Sequence, residues 1–171
     1  MYNQRPITDI FFKRNSKIYP MIHSTFKKNQ EQFYLLKFDG CSRGNPGLAG
    51  AGAVIYCNAQ EIWGGSEYVG KKETNNYAEY RGLILGLQNA LDLEIDAITV
   101  QGDSLLVIKQ MIGEYKVKSP NLLSLYSEVK QLEKQFDKIS YEHIYREFNS
   151  RADELANMAI PINSVEDIKN L

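Results

Sequence analysis

The run Phe33-Tyr34-Leu35-Leu36-Lys37-Phe38 mixes aromatic and apolar residues without a polar face, the pattern of a strand at least partly covered on both sides, and it ends on an acid, Asp39. A carboxylate at the end of a covered strand costs several kcal/mol unless it meets a cation, a strong set of donors or a metal. Gly40, Gly44, Gly47, Gly50 and Gly52 follow, grouped around Asn45-Pro46, and read as a tight turn in which the backbone can lie against a ligand. An acid closing a covered strand beside a glycine-rich turn suits a phosphate backbone and a divalent metal.

Three further acids stand in comparable settings. Thr74-Asn75-Asn76-Tyr77-Ala78-Glu79 opens a helix, Gly102-Asp103-Ser104 joins a strand to a helix, and Arg146-Glu147-Phe148-Asn149-Ser150-Arg151-Ala152-Asp153 leads into the final helix. Each has a structural reading. Glu79 fits the reciprocal glutamate of a capping box with Thr74 or Asn76 as N-cap, Asp103 fits a cap for the helix that begins at Ser104, and Asp153 fits an acid favoured in a helical first turn. Asp39 has no such reading, because a glycine and no helical pattern follows it.

In this order the four segments resemble ribonuclease H type 1, in its compact subgroup of archaeal, bacterial and plant-like members, over residues 33–160, roughly three quarters of the chain. The resemblance implies an α/β, ribonuclease H-like fold: a five-stranded mixed sheet of three antiparallel strands with parallel additions, flanked by helices. It implies that Asp39, Glu79, Asp103 and Asp153 form the catalytic and metal-binding set for two Mg2+ ions, replaceable by Mn2+. Two such ions about 3.5 to 4 Å apart serve the attacking and the leaving oxygens of a phosphodiester. It implies substrate contacts from Gly44, Asn45, Thr74, Asn75, Asn76, Ser104 and Arg146, the asparagines and glycine sensing ribose 2′-hydroxyls in a wide minor groove and Thr74 a phosphate of the DNA strand.

Two departures separate the chain from longer relatives of that family. Gly113 to Pro120 crosses directly between two helices where longer members carry a basic, tryptophan-containing insertion, and no Gly-His loop precedes Asp153. Arg146 and Asn149 stand in its place. His143 falls on a strand pattern, which favours a sheet position over a proton shuttle.

Periodicity and punctuation predict strands at 33–39, 51–57 and 60–68, a helix at 75–91, a strand at 97–102, helices at 104–112 and 120–136, a strand at 139–145 and a helix at 151–159. Tyr77, Tyr80, Ile84, Leu87 and Leu91 form one stripe at three-four spacing. Among 171 residues, 43% hydrophobic and 24% charged, no apolar run reaches membrane-spanning length. Cys41 and Cys57 fall at opposite ends of the first hairpin, too far apart for a disulfide, which fits a reducing intracellular compartment, cytoplasm or nucleus, and a monomer.

Residues 1–32 carry six basic and two acidic side chains, and the remainder fourteen against nineteen. The first segment reads as a basic N-terminal extension, residues 33–160 as the catalytic domain and 161–171 as a C-terminal tail. Within the extension, Gln4, Ile7 and Phe11 resemble the docking peptide for a PCNA-type sliding clamp (residues 4–12), although Ile10 stands where the first aromatic belongs. The alternative is a tail whose apolar residues pack on the domain, while Asp9 argues against a mitochondrial presequence. The expected activity is magnesium-dependent endonucleolytic cleavage of the RNA strand of RNA–DNA hybrids, giving 5′-phosphate and 3′-hydroxyl ends. The rivals are another nuclease on the same acidic cluster and a catalytically impaired adaptor of ribonuclease H-like fold.

Overall fold

Alternation along the first strands decides how the helices are distributed. In the computed structural model, which describes residues 32–161, β1 (Tyr34–Gly44) pairs antiparallel with β2 (Gly47–Cys57), and β2 with β3 (Gln60–Glu73). Leu36 and Phe38 on β1 and Ala53 and Ile55 on β2 face one side, where the main core lies; Val54 faces the other, with Ala152 and Leu155. That period of two requires cover on both faces, and β2 is accordingly buried through most of its length.

The main face is covered by α1 (Asn75–Asp92), α2 (Leu105–Met111) and α3 (Pro120–Glu133), and the opposite face by α4 (Ser150–Met158). Tyr80, Ile84 and Leu87 of the expected α1 stripe are fully buried, while Tyr77 and Leu91 pack at its margins. Two parallel strands complete the sheet, β4 (Ala97–Gly102) beside β1 and β5 (Lys138–His143) beside β4, in the order β3-β2-β1-β4-β5. The expected mixed sheet of three antiparallel strands with two parallel additions is therefore present.

The glycine-rich stretch behaves differently from the expectation. Asp39 does not close β1; the ladder runs on to Gly44, and the turn is confined to the link between Gly44 and Gly47, with Gly44 at φ +93°. Gly40, Gly50 and Gly52 admit helices against the sheet. A Cβ on Gly40 would lie 2.1 Å from the Glu79 backbone nitrogen, one on Gly82 of α1 2.4 Å from the Asp39 carbonyl oxygen, and one on Gly52 2.4 Å from the backbone nitrogen of Ala156 in α4. Low strand propensity hid this extension, since pairing in the sheet holds glycines that no local preference would place there.

Other boundaries move for identifiable reasons. β3 continues to Glu73 because its far end pairs with the extended β2, and β5 stops at His143 because its partner β4 ends opposite, at Gly102. α3 stops at Glu133, and the next amides turn back three residues, Gln135 to Leu132 and Phe136 to Glu133, tightening the end into a 3₁₀-type turn. A 3₁₀ turn at Arg146–Phe148, absent from the sequence reading, precedes α4. Cys41 and Cys57 are free and pair with Gly50 and Tyr34 at opposite ends of the hairpin. Gln4, Ile7 and Phe11 lie outside the described residues. No helix of the described residues is long and apolar enough to cross a membrane.

Gly40→Ala tests the close approach of α1. Its methyl group meets helix backbone, which cannot rotate aside, so the substitution should cost about 3 kcal/mol or more, the upper end for overpacking. Urea unfolding should show a lower midpoint at unchanged slope.

Candidate active site

The site forms where the parallel pairing stops. Phe38 and Gly102 are the last pair between β1 and β4, so Asp39 on β1 and Asp103 just past the end of β4 come next, one after each partner. This is the crevice beyond the carboxyl end of β4, where the sheet changes from parallel to antiparallel pairing, a position that favours ligand binding in open α/β sheets. Glu79, the fifth residue of α1, arrives from the core side because Gly40 lets its backbone touch β1. One carboxylate oxygen from each of Asp39, Glu79 and Asp103 lies within 4.8 Å of the others.

Thr74 is the N-cap of α1, and its hydroxyl accepts from the Tyr77 amide at 3.2 Å. A capping box would need its glutamate at Tyr77, so Glu79 is not a cap. Ser104 caps α2, accepting from the Val107 amide, and Asp103 lies outside that cap. Asp153 does sit in the first turn of α4, with Asn149 as N-cap.

All four acids line one cleft of about 270 Å³, with Asn75, Ser104 and Arg146. A larger cavity of about 370 Å³ beside α2, lined by Leu106, Gln110 and Tyr115 among others, brings no comparable acid set together. Of the remaining expected substrate residues, Gly44, Asn45, Thr74 and Asn76 are exposed and stand outside the cleft walls. Asn45 is nonetheless tied to it, because its side-chain oxygen accepts from the Asn75 amide at 3.2 Å and links the hairpin to the start of α1. Asn75 in turn donates to Glu79 Oε1 at 3.4 Å. Glu79 Oε2 is buried with no partner.

Asn149 was named in the sequence only as a neighbour of Arg146. It is fully buried, and its Nδ2 donates to the Phe38 carbonyl at 2.8 Å and to Asp103 Oδ1 at 2.7 Å, fixing that carboxylate against β1. Lys37 Nζ donates to the Phe148 carbonyl at 2.7 Å and pins the same 3₁₀ turn. A polar residue just ahead of a helix was the only sequence signal for Asn149; its burial depends on tertiary packing. His143 is the last residue of β5, with Nε2 3.2 Å from the Asp103 carbonyl oxygen.

Burial of several acids together has a proton cost. Asp39 is pushed up from 3.8 to about 7, first by burial and then by the charge of Asp103, with the Gly40 amide, 2.8 Å from Oδ1, pulling the other way. Glu79 is raised well above its ordinary range by burial and then by Asp39 and Asp103. Asp39 and Glu79 are each only 5% exposed, and the basic side chain that lines the cleft, Arg146, is hydrogen-bonded to Asp153. A divalent cation with hard oxygen ligands satisfies such a set, and the orphaned Glu79 oxygen gives it a further ligand.

The sequence between residues 37 and 159 matches the family described as reverse transcriptase-like. A bifunctional protein of Mycobacterium tuberculosis is 46% identical over 127 residues, 74% of this chain and 35% of that protein. The chain thus spans about a third of the length of the mycobacterial relatives it matches. Ribonuclease H1 of the archaeon Halobacterium salinarum superposes with a TM-score of 0.71, at 39% identity, covering 74% of this chain and 96% of the archaeal one. LC11 ribonuclease H1, solved in complex with an RNA/DNA hybrid, gives 0.70 at 37% identity over 74% of this chain and 96% of that one.

The raised carboxyl groups predict how stability without metal varies with pH. Between 3.8 and about 7 the folded chain keeps a proton on Asp39 that the unfolded chain has released. The contribution of this group is therefore full below pH 3.8 and is lost as pH rises through about 7, with Glu79 adding to the loss in the same direction. In chelator, Asp39→Asn should flatten this decline and melt above the wild type at pH values over 7, as followed by circular dichroism. A variant that melts lower there would show that the carboxylates do not repel.

Proposed function

This chain belongs to the ribonuclease H family, and we propose that it is a metal-dependent endonuclease that hydrolyses the RNA strand of RNA–DNA hybrids, leaving 5′-phosphate and 3′-hydroxyl ends. The observation that carries this reading is the set of Asp39, Glu79 and Asp103 oxygens within 4.8 Å of one another, one Glu79 oxygen being buried without a partner. In this reading Asp39, Glu79, Asp103 and Asp153 hold two divalent ions, with magnesium as the physiological metal and manganese as a substitute. When bound, the ions supply an activated water and stabilise charge on the leaving 3′-oxygen.

The chain's own residues hold and orient. Asn149 keeps the Asp103 carboxylate in one rotamer, so the ligand set is preformed. Asn75 and Asn76 at the start of α1, with Gly44 and Asn45 in the hairpin, read consecutive ribose 2′-hydroxyls. Thr74 and Ser104 engage substrate phosphate; a hydroxyl that accepts one bond as an N-cap can still donate another. The sliding-clamp reading of Gln4, Ile7 and Phe11 rests on the sequence pattern alone.

Labelled RNA–DNA hybrid, double-stranded RNA and double-stranded DNA, each incubated with magnesium and with chelator, test the proposal. Only the hybrid with magnesium should be cut, and Asp103→Asn should slow cleavage by on the order of a thousandfold while the fold is retained. Cleavage by the purified variant at the wild-type rate would make the carboxylates structural. A duplex with a single embedded ribonucleotide should be cut far more slowly than a continuous RNA strand. Asn45→Ala should narrow that difference, since it also releases the Asn75 amide.

A further inference from the structure

One acid of the four is paired with a cation. Asp39, Glu79 and Asp103 share the 4.8 Å group, whereas Asp153 Oδ1 accepts a hydrogen bond from Arg146 Nη2 at 2.7 Å. Asp153 still faces the same cleft, and its charge reaches Asp39. Arg146 comes from the 3₁₀ turn ahead of α4, and its side chain is 77% exposed against 29% for Asp153.

We propose that Arg146 acts as a resident cation on Asp153, so that the first divalent ion enters a prepared site while the second must displace the guanidinium. This rests on the metal-dependent reading above. A guanidinium seated on Oδ1 occupies a lone pair of that oxygen and repels an incoming divalent ion, so the two cations compete for Asp153. The bridge is exchangeable, since an exposed ion pair is screened by water and weak. Its contrast within the site is plain: Asp103 is fixed by the fully buried Asn149, a neutral donor that leaves the carboxylate's charge in place, and Asp153 by a cation that cancels it. Once displaced, the planar fork of Arg146 matches a phosphate group, which gives it an acceptor when nucleic acid is present.

The test is binding of Mn2+ to the full chain without nucleic acid, with free ion counted by electron paramagnetic resonance and affinities taken from calorimetry. The wild type should bind one ion and then a second more weakly. Arg146→Gln should tighten the second step by roughly threefold to tenfold, the factor expected for removing an exposed ion-pair competitor, and the first step by less, since the Arg146 charge acts on Asp39 and Asp103 more weakly than on Asp153. Arg146→Lys, which keeps the charge, should leave the second step weak. Arg146 is exposed, so both variants should retain the wild-type melting temperature measured in chelator. Equal second steps in the wild type and Arg146→Gln, or equal tightening in Gln and Lys variants, would overturn the proposal. Glu79→Gln separates it from the reading beneath: weakening of the first step by this variant upholds the metal site independently of Arg146. If neither the wild type nor Arg146→Gln binds manganese, the metal-dependent reading itself fails and takes the proposal with it.

Discussion

The approach of α1 to β1 governs the geometry of everything built above it. Gly40 on the strand and Gly82 on the helix leave no side chain between the two backbones. Helix and strand therefore meet at a distance that any Cβ would forbid, and the fifth residue of the helix, Glu79, is carried over the strand next to Asp39. The register of β1 with β4 then supplies Asp103, and α4, seated against Gly52, supplies Asp153. Four acids from four segments converge because two helices sit unusually low on the sheet.

Convergence of this kind works against stability. Asp39 and Glu79 are buried in each other's field, with one Glu79 oxygen unpaired, and the protein accommodates them by raising their proton affinities. A structural role alone would be served better by neutral residues of the same shape. The cost is characteristic of a site kept ready for a cation, and it is borne by a well-packed body: Leu36, Phe38, Tyr80, Leu83, Ile84 and Leu87 are all fully buried beneath it.

The acids were legible because each follows a recognisable change in pattern, and the helix stripe of α1 was legible because three-four spacing survives in its burial. The role of the glycines was not. Composition alone reads Gly40, Gly50 and Gly52 as a turn, since nothing local says that a helix will lie on them; only the tertiary contacts do. The same blindness makes Asp39 look like a strand end, although it lies within an eleven-residue strand. Asn149 and Lys37 escaped because their partners, Phe38 and Phe148, are 111 positions away in the chain. Caps were more tractable: Thr74 was among the candidates for α1, and its bond is local.

The unequal lengths of β1 and β4 have one more effect. β4 ends at Gly102, while β1 runs on to Gly44, so the stretch from Asp39 onward is paired with β2 along one edge and has no β4 partner along the other. Every second residue there directs its amide and carbonyl toward the unpaired edge, as in any antiparallel ladder. Those groups belong to the main chain and are the same whichever amino acid occupies the position. Contacts made through them are insulated from sequence drift, and natural variants of this protein can exchange the side chains of Cys41, Ser42 and Arg43 without altering the hydrogen-bonding groups of the edge.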